Sequence, residues 1–187
     1  MKNKDRVEFE NEVHNQIIGW TNNCDTKSSI ILAFIGVLVS IVFTSEYILN
    51  TIIKQIENIV VYWCKGTGEF SFLATMMFIF LLAFVVLTGF SFIYSIKALK
   101  ANIKCLDDSL IFFGKIASKT KDEYIDQVKN STDEEIETDK LTQVYNCSQI
   151  CNTKFYDYNR SVTYMRVSLL VFMGFIGSII LVNAFNF

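Results

Sequence analysis

Apolar and polar residues alternate along this chain on two scales. On the longer scale, residues 28–45, 70–96 and 167–187 contain no Asp, Glu, Lys, Arg or His. Each window reaches or approaches the roughly 20 apolar residues needed to cross a hydrocarbon layer as a helix. A soluble chain of 187 residues would have to bury three helices that are apolar on every face, which its size does not allow. Polar sequence runs through Lys27 before the first window, and no small-residue cleavage pattern follows it, so this window reads as an anchor and not as a cleaved signal.

On the shorter scale, apolar positions outside the windows continue a three-four alternation into them. Val13, Ile17, Trp20 and Cys24 lead into the first window. Ile96, Leu99, Ile103, Leu106, Leu110 and Phe113 leave the second. Leu141, Val144, Ser148, Cys151, Phe155, Tyr158, Val162 and Met165 enter the third, and the spacing persists inside it through Leu169, Phe172, Ile176 and Ile179. A repeat near 3.5 residues is the mark of left-handed helix packing. The predicted fold is therefore all-α, an integral membrane protein with three transmembrane helices extended into a cytoplasmic helical bundle. The chain lacks proline, so no long helix is interrupted by a missing N–H or a ring clash.

The expected divisions are a cytoplasmic N-terminal helix (1–27), spans at 28–45, 70–96 and 167–187, an external piece (46–69) and a cytoplasmic segment (97–166). In the external piece Ile48, Ile52, Ile53, Ile56, Ile59, Val60, Tyr62 and Trp63 oppose Lys54, Glu57 and Asn58, which predicts either an amphipathic interfacial helix or an extension of the first span. Gly66 and Gly68 supply the turn into the second span. At the far end of the cytoplasmic segment a turn is expected within 114–130, with a short helix over 120–128. Ser131, Thr132 and Asp133 followed by Glu134 and Glu135 make a capping start for the return helix.

Composition agrees: 51% of residues are hydrophobic, above the usual share in soluble domains. Charge gives the orientation. Eleven of the 17 Lys and Arg fall between residues 97 and 166, and four precede the first window, but the external piece has only Lys54 and Lys65. Basic residues resist translocation, so the N-terminus is placed inside, with the inner membrane as location. The net charge of −2 adds nothing here.

Enzymatic chemistry finds no foothold. His14, the one histidine, lies in a polar stretch, and the chain has no phosphate-cradling glycine loop, nucleophile elbow or paired metal motif. Cys147 and Cys151 stand one helical turn apart, but a zinc site needs two further ligands at suitable spacing. With Cys24, Cys64 and Cys105 they read as small thiols, four of the five on the reducing side. No cofactor, metal or nucleic-acid polymer is expected. A pump or selective transporter is disfavoured because the windows carry no ionisable group. Gly36, Gly89, Gly174 and Gly177, with Ser40, Ser91 and Ser178, are expected to let helices approach closely.

Several short motifs recur in a telling order. Asp25-Thr26-Lys27 stands directly before the first window. Phe113-Gly114-Lys115-Ile116 is followed by Tyr124. Gln143-Val144, Ser148, Ile150 and Lys154-Phe155 precede the last window. In this order and placement, from Asn22 to Leu181, they resemble the transmembrane effectors of Pycsar antiphage systems. Ser28 departs from the family by replacing a small alanine, at no cost in packing.

The resemblance implies a system in which a partner cyclase makes cCMP or cUMP on infection and the effector impairs the inner membrane, aborting the infection. A cyclic mononucleotide would be the activating ligand and the lipid bilayer the target. Such a ligand needs a cation for its phosphate and an aromatic or apolar slot for its base. Lys154, Arg160, Tyr156, Tyr158 and Lys115 are the candidates, with Phe155, Lys119 and Phe112 nearby. The plain structural alternative is that Lys154 pairs with a carboxylate on a neighbouring helix and the tyrosines pack. Asp25 would then pair with Arg160 or Arg166, and Lys27 would snorkel to the interface. Three helices cannot enclose a sizeable pore, so permeabilisation implies a homo-oligomer or a distorted bilayer. The competing function is a membrane-anchored helical adaptor that docks a cytoplasmic partner.

Overall fold

The computed structural model describes residues 3–66, 71–100 and 109–185. Among these the regular structure is entirely helical: α1 (Asn3–Thr44), α2 (Glu46–Lys65), α3 (Phe72–Leu99), α4 (Phe113–Ala117), α5 (Lys121–Asn130) and α6 (Asp133–Ala184). Three of these, α1, α3 and α6, are long and apolar enough to cross a membrane. An apolar helix suits that setting because all its backbone hydrogen bonds close within the segment.

The chain divides into two compact units, and α1 and α6 each contribute residues to both. The first unit combines Met1–Thr26 with Ala98–Tyr156, and the second combines Lys27–Lys97 with Asp157–Phe187.

The second unit is organised by seven-residue repeats. Residues 28, 35, 38 and 42 of α1 are buried, as are 74, 77, 84, 88, 91 and 95 of α3 and 161, 165, 168, 175, 179 and 182 of α6. With the half-buried Ile31, Leu81 and Phe172 these positions alternate by three and four, the spacing that keeps one stripe of a helix against its neighbours. Ile35, Leu38, Val42, Met77, Phe84, Met165, Phe175 and Ile179 form the apolar core, joined by Ile48 of α2.

The inward stripe of α6 differs from the one hydropathy alone suggests. Cys151, Tyr158, Met165, Phe172 and Ile179 lie on it, but its most buried alternate positions are Lys154, Ser161, Ser168, Phe175 and Val182, with Phe155, Val162, Leu169 and Ile176 half-buried beside them and Leu169 and Ile176 packed against the core. Three of those inward residues are polar, so a search for apolar periodicity steps onto their neighbours. In α1, Trp20 is 56% exposed and the half-buried Thr21 takes its expected place on the stripe. Beyond α3, which ends at Leu99, residues 109–112 are irregular and both Ile96 and Phe113 are exposed. Ile103, Leu106, Cys105 and Gly68 lie outside the described residues.

α2 is a separate helix. Ser45 breaks the run from α1, its hydroxyl accepting from the Ile48 amide at 3.4 Å, and Gly66 ends α2 at φ 64 in the left-handed region that glycine tolerates. The helix buries Ile48, Thr51 and Gln55, and Thr51 accepts from Asn183 Nδ2 at 3.1 Å. Ile53, Ile56 and Val60 remain exposed, an apolar surface fitting an interfacial helix. Of the four glycines expected at close contacts, Gly174 is the one that is crowded, with the Phe80 ring 3.1 Å from where a Cβ would stand. Gly36 and Gly89 face open space and line an apolar cleft of about 590 Å³ with Phe84 and Thr88.

In the first unit α5 and α6 begin with the same device. Thr120 and Glu123 cap one, and Thr132 and Glu135 the other: each threonine hydroxyl accepts from the glutamate amide, and each carboxylate accepts from the threonine amide at 2.8 Å. These bonds hold the carboxyl groups of Glu123 and Glu135 below the usual carboxylate range. A lowered acid contributes stability above its unfolded pKa and loses it as pH falls through the folded one. Thr132→Ala should therefore raise hydrogen exchange in the first turn of α6 about fivefold at neutral pH, reflecting a cap of about 1 kcal/mol. Glu135→Gln should flatten the acid dependence of that exchange.

Candidate functional site

The first unit holds two polar constellations. One secures the turn before α4. Ser109, 3% exposed, donates its hydroxyl to Asp139 Oδ2 at 3.0 Å and accepts from Gln143 Nε2 at 3.1 Å and from the Phe112 amide at 3.0 Å. The Leu110 amide donates to the same Asp139 oxygen at 2.7 Å, and the Leu110 carbonyl accepts from the Tyr124 hydroxyl at 3.2 Å. Residues from α5 and α6 thus satisfy backbone groups that no helix or strand pairs. Gly114 follows directly, where a Cβ would sit 2.7 Å from the Phe112 ring. Gly114, Tyr124 and Gln143, singled out separately in the sequence, here belong to one anchored turn.

Beside that turn is a hollow of about 400 Å³ lined by Leu110, Gln127, Asn130, Ser131, Glu135 and Asp139. Lys119, half-buried, donates to Gln127 Oε1 and so brings a cation to the hollow's edge. Lys115 is half-buried one turn earlier, in α4.

The second constellation is an ion pair. Lys154 on α6 is buried and its ammonium donates to Asp25 Oδ1 on α1 at 2.5 Å. Burial of a lysine requires such a partner, because an unpaired ammonium out of water costs several kcal/mol. Cys24 and Cys151 are buried on the same stripes. Toward the N-terminus of α1, Arg6 bridges Glu10 at 3.3 Å and Glu137 of α6 at 2.9 Å. His14 is half-buried, and its Nδ1 has no hydrogen-bond partner.

The candidate ligand-binding residues do not converge on one spot. Lys154 is engaged with Asp25, and Tyr156 is 55% exposed in the same unit. Tyr158 and Arg160 fall in the second unit. There Arg160 donates to the Tyr94 hydroxyl at 3.0 Å and stands 5.6 Å from its ring centre, with Lys97 5.0 Å from the same ring. Tyr94 stacks on Tyr164, and Tyr164 on Phe90. Asp25, the neighbouring-helix carboxylate that a buried lysine requires, thus takes Lys154, and Lys27 is exposed. Among the described residues no group of three or more His, Cys, Asp or Glu is placed to hold a metal. Burial raises the Cys147 thiol above its ordinary pKa, which makes it a poor nucleophile.

Comparison with known proteins draws these residues into one frame. A family model described as the Pycsar effector protein domain matches residues 9–182. The chain belongs to the Pycsar effector family. It is 32% identical over 166 residues to the Pycsar effector protein GmPycTM of Gulbenkiania mobilis, covering 82% of this chain and 83% of that protein. No solved structure matches it. Every motif residue named above, from Asp25 to Lys154, lies inside the matched region of this Pycsar effector.

Sequence reasoning missed Ser109 and Asp139, which carry the anchored turn, and Ser161, discussed below. Single hydroxyls and carboxylates have no periodic signature; only the three-residue step from one α6 stripe to the next could have marked Ser161.

Removing one partner of the ion pair isolates the other. Asp25→Asn should destabilise the first unit by about 2–3 kcal/mol, less than a fully buried pair because Asp25 is itself 36% exposed. The double change Asp25→Leu with Lys154→Met should recover most of that loss. Denaturant melts followed by tryptophan fluorescence would measure both, and equal losses in single and double variants would show that the pair contributes little.

Proposed function

We propose that this Pycsar effector senses a cyclic pyrimidine mononucleotide, cCMP or cUMP, through its first unit and responds by impairing the integrity of the inner membrane, aborting phage infection. Family membership supports the antiphage role. The structural observation that carries the rest is that α1 (Asn3–Thr44) and α6 (Asp133–Ala184) are each one unbroken helix with residues in both units. A ligand that favours a different packing of the polar ends must also bias the apolar ends of the same two helices. A differential affinity of about 5.5 kcal/mol between packings would carry such a switch from nearly all closed to nearly all open.

The nucleotide is an activating ligand, with no catalytic step. Lys119, held by Gln127 at the edge of the hollow, is the cation that an anionic group there would meet, with Lys115 one turn earlier in α4. Lys154 could take a phosphate only by giving up Asp25, so a ligand there would exchange one charge pair for another. The orientation that places the first unit inside follows from the basic residues between 97 and 166. Three helices are too few to surround a wide channel, so several copies assemble to form the lesion.

The test uses the purified full chain in liposomes holding a potassium gradient. Micromolar cCMP or cUMP should trigger potassium release, and cyclic oligonucleotides should not. Release that is the same with and without every nucleotide, or binding of none of them in equilibrium dialysis, would overturn the reading.

A further inference from the structure

The buried stripes of the second unit are not uniformly apolar. Ser28 of α1, Thr88, Ser91 and Ser95 of α3, and Ser161 and Ser168 of α6 are all at most 4% exposed. On α3 they take three consecutive seam positions, on α6 the positions on either side of Met165, and on α1 the single position of Ser28. The other half of the seam, Ile35, Leu38 and Val42 with Met77, Phe84, Phe172, Phe175 and Ile179, is mainly hydrocarbon, with Phe84 and Phe172 ring centres 5.0 Å apart, and the buried Ser178 there is satisfied within its own helix by donating to the Phe175 carbonyl at 2.7 Å.

Close packing explains part of the hydroxyl half. Ser91 Oγ donates to the Ser161 carbonyl at 3.0 Å, Ser161 Oγ donates to the Ser91 carbonyl at 2.9 Å, and Ser95 Oγ lies 2.7 Å from Ser161 Oγ. It does not explain Ser28 and Thr88. The Oγ of Ser28, fully buried, and the Oγ1 of Thr88, 4% exposed, have no hydrogen-bond partner among the described residues. Other helical threonines, including Thr21, Thr51, Thr75 and Thr163, donate to the carbonyl four residues back. An unmet hydroxyl in an apolar core is destabilising, and water is the small molecule that satisfies it by both donating and accepting.

We infer that this seam is the closed form of the permeation path: its hydroxyl half is a hydration site for water and small monovalent ions, and its phenylalanine half is the dewetted plug that keeps the path shut. The inference deepens the proposed function by naming the surface that lines the lesion, and the seams of assembled copies supply its wall. Hydroxyls without formal charge give weak ion selectivity, and an apolar constriction gates by excluding water until its walls part.

The experiment uses the full chain, with its native cysteines replaced by alanine, in potassium-loaded liposomes. Phe175→Ser should open the plug and raise nucleotide-independent potassium release at least tenfold, and the exposed Met173→Ser should leave it unchanged. Phe84→Ser gives a second opening variant if Phe175→Ser fails to fold, as judged by circular dichroism and gel filtration. Ser91→Cys and Ser161→Cys should react with a charged thiosulfonate at least tenfold faster once cCMP or cUMP is present, and the label should reduce the flux. Nucleotide-driven release with both thiols still protected would overturn the inference and leave the proposed function standing. If no nucleotide drives release but Phe175→Ser opens a path reached by the seam thiols, the inference holds and the activating ligand is wrong. Silence in every arm would overturn both.

Discussion

A helix can keep one stripe against its neighbours over many turns only if the residues on that stripe recur every seven positions. This constraint runs through all three long helices of the protein. It selects residues 10, 17, 24, 31 and 38 and residues 14, 21, 28, 35 and 42 in α1, and 74, 77, 81, 84, 88, 91, 95 and 98 in α3. In α6 it selects alternate three- and four-residue steps from 151 to 182. Once the repeat is fixed, the choice of residue at each position decides what that level of the seam does.

Those choices change along the helices in a consistent way. In the first unit the α6 stripe carries Cys151 and Lys154, and Lys154 is tolerable there because Asp25 on α1 neutralises it. In the second unit the stripes pass through serines that bind one another's backbone, then through phenylalanines and aliphatic residues. Small hydroxyl residues let helices approach closely and exchange hydrogen bonds, and aromatic residues fill the space where helices stand further apart. Polarity is thus graded along a common geometry, without any ionisable group entering the charge-free windows.

The anchored turn around Ser109 works on a different principle. Its backbone groups have no regular partner, so Asp139, Gln143 and Tyr124 supply them from two separate helices. The shape of the polar hollow beside it follows from those bonds. Tyr124 and Gln143 therefore serve to close this turn, and Asp25 to neutralise the buried lysine.

The sequence by itself determined the helical class, three helices long and apolar enough to span a membrane, a short helix near α5 and the capped start of α6. Each of these rests on interactions within a few residues: a backbone that must pair internally in hydrocarbon, and a threonine and glutamate that close a cap three residues apart. It also carried the family resemblance, through motifs in order. It could not single out the most buried stripe of α6, because Ser161 looks outward by hydropathy and bonds Ser91 and Ser95 on another helix, and because which carboxylate Lys154 would meet depended on where Asp25 stands. Nor could it show that Ser109, Asp139 and Gln143 meet, or that Trp20 stays exposed where Thr21 packs. Tertiary contacts decided these points because the energy of a buried polar group depends on its partner, and the partner is remote in the chain.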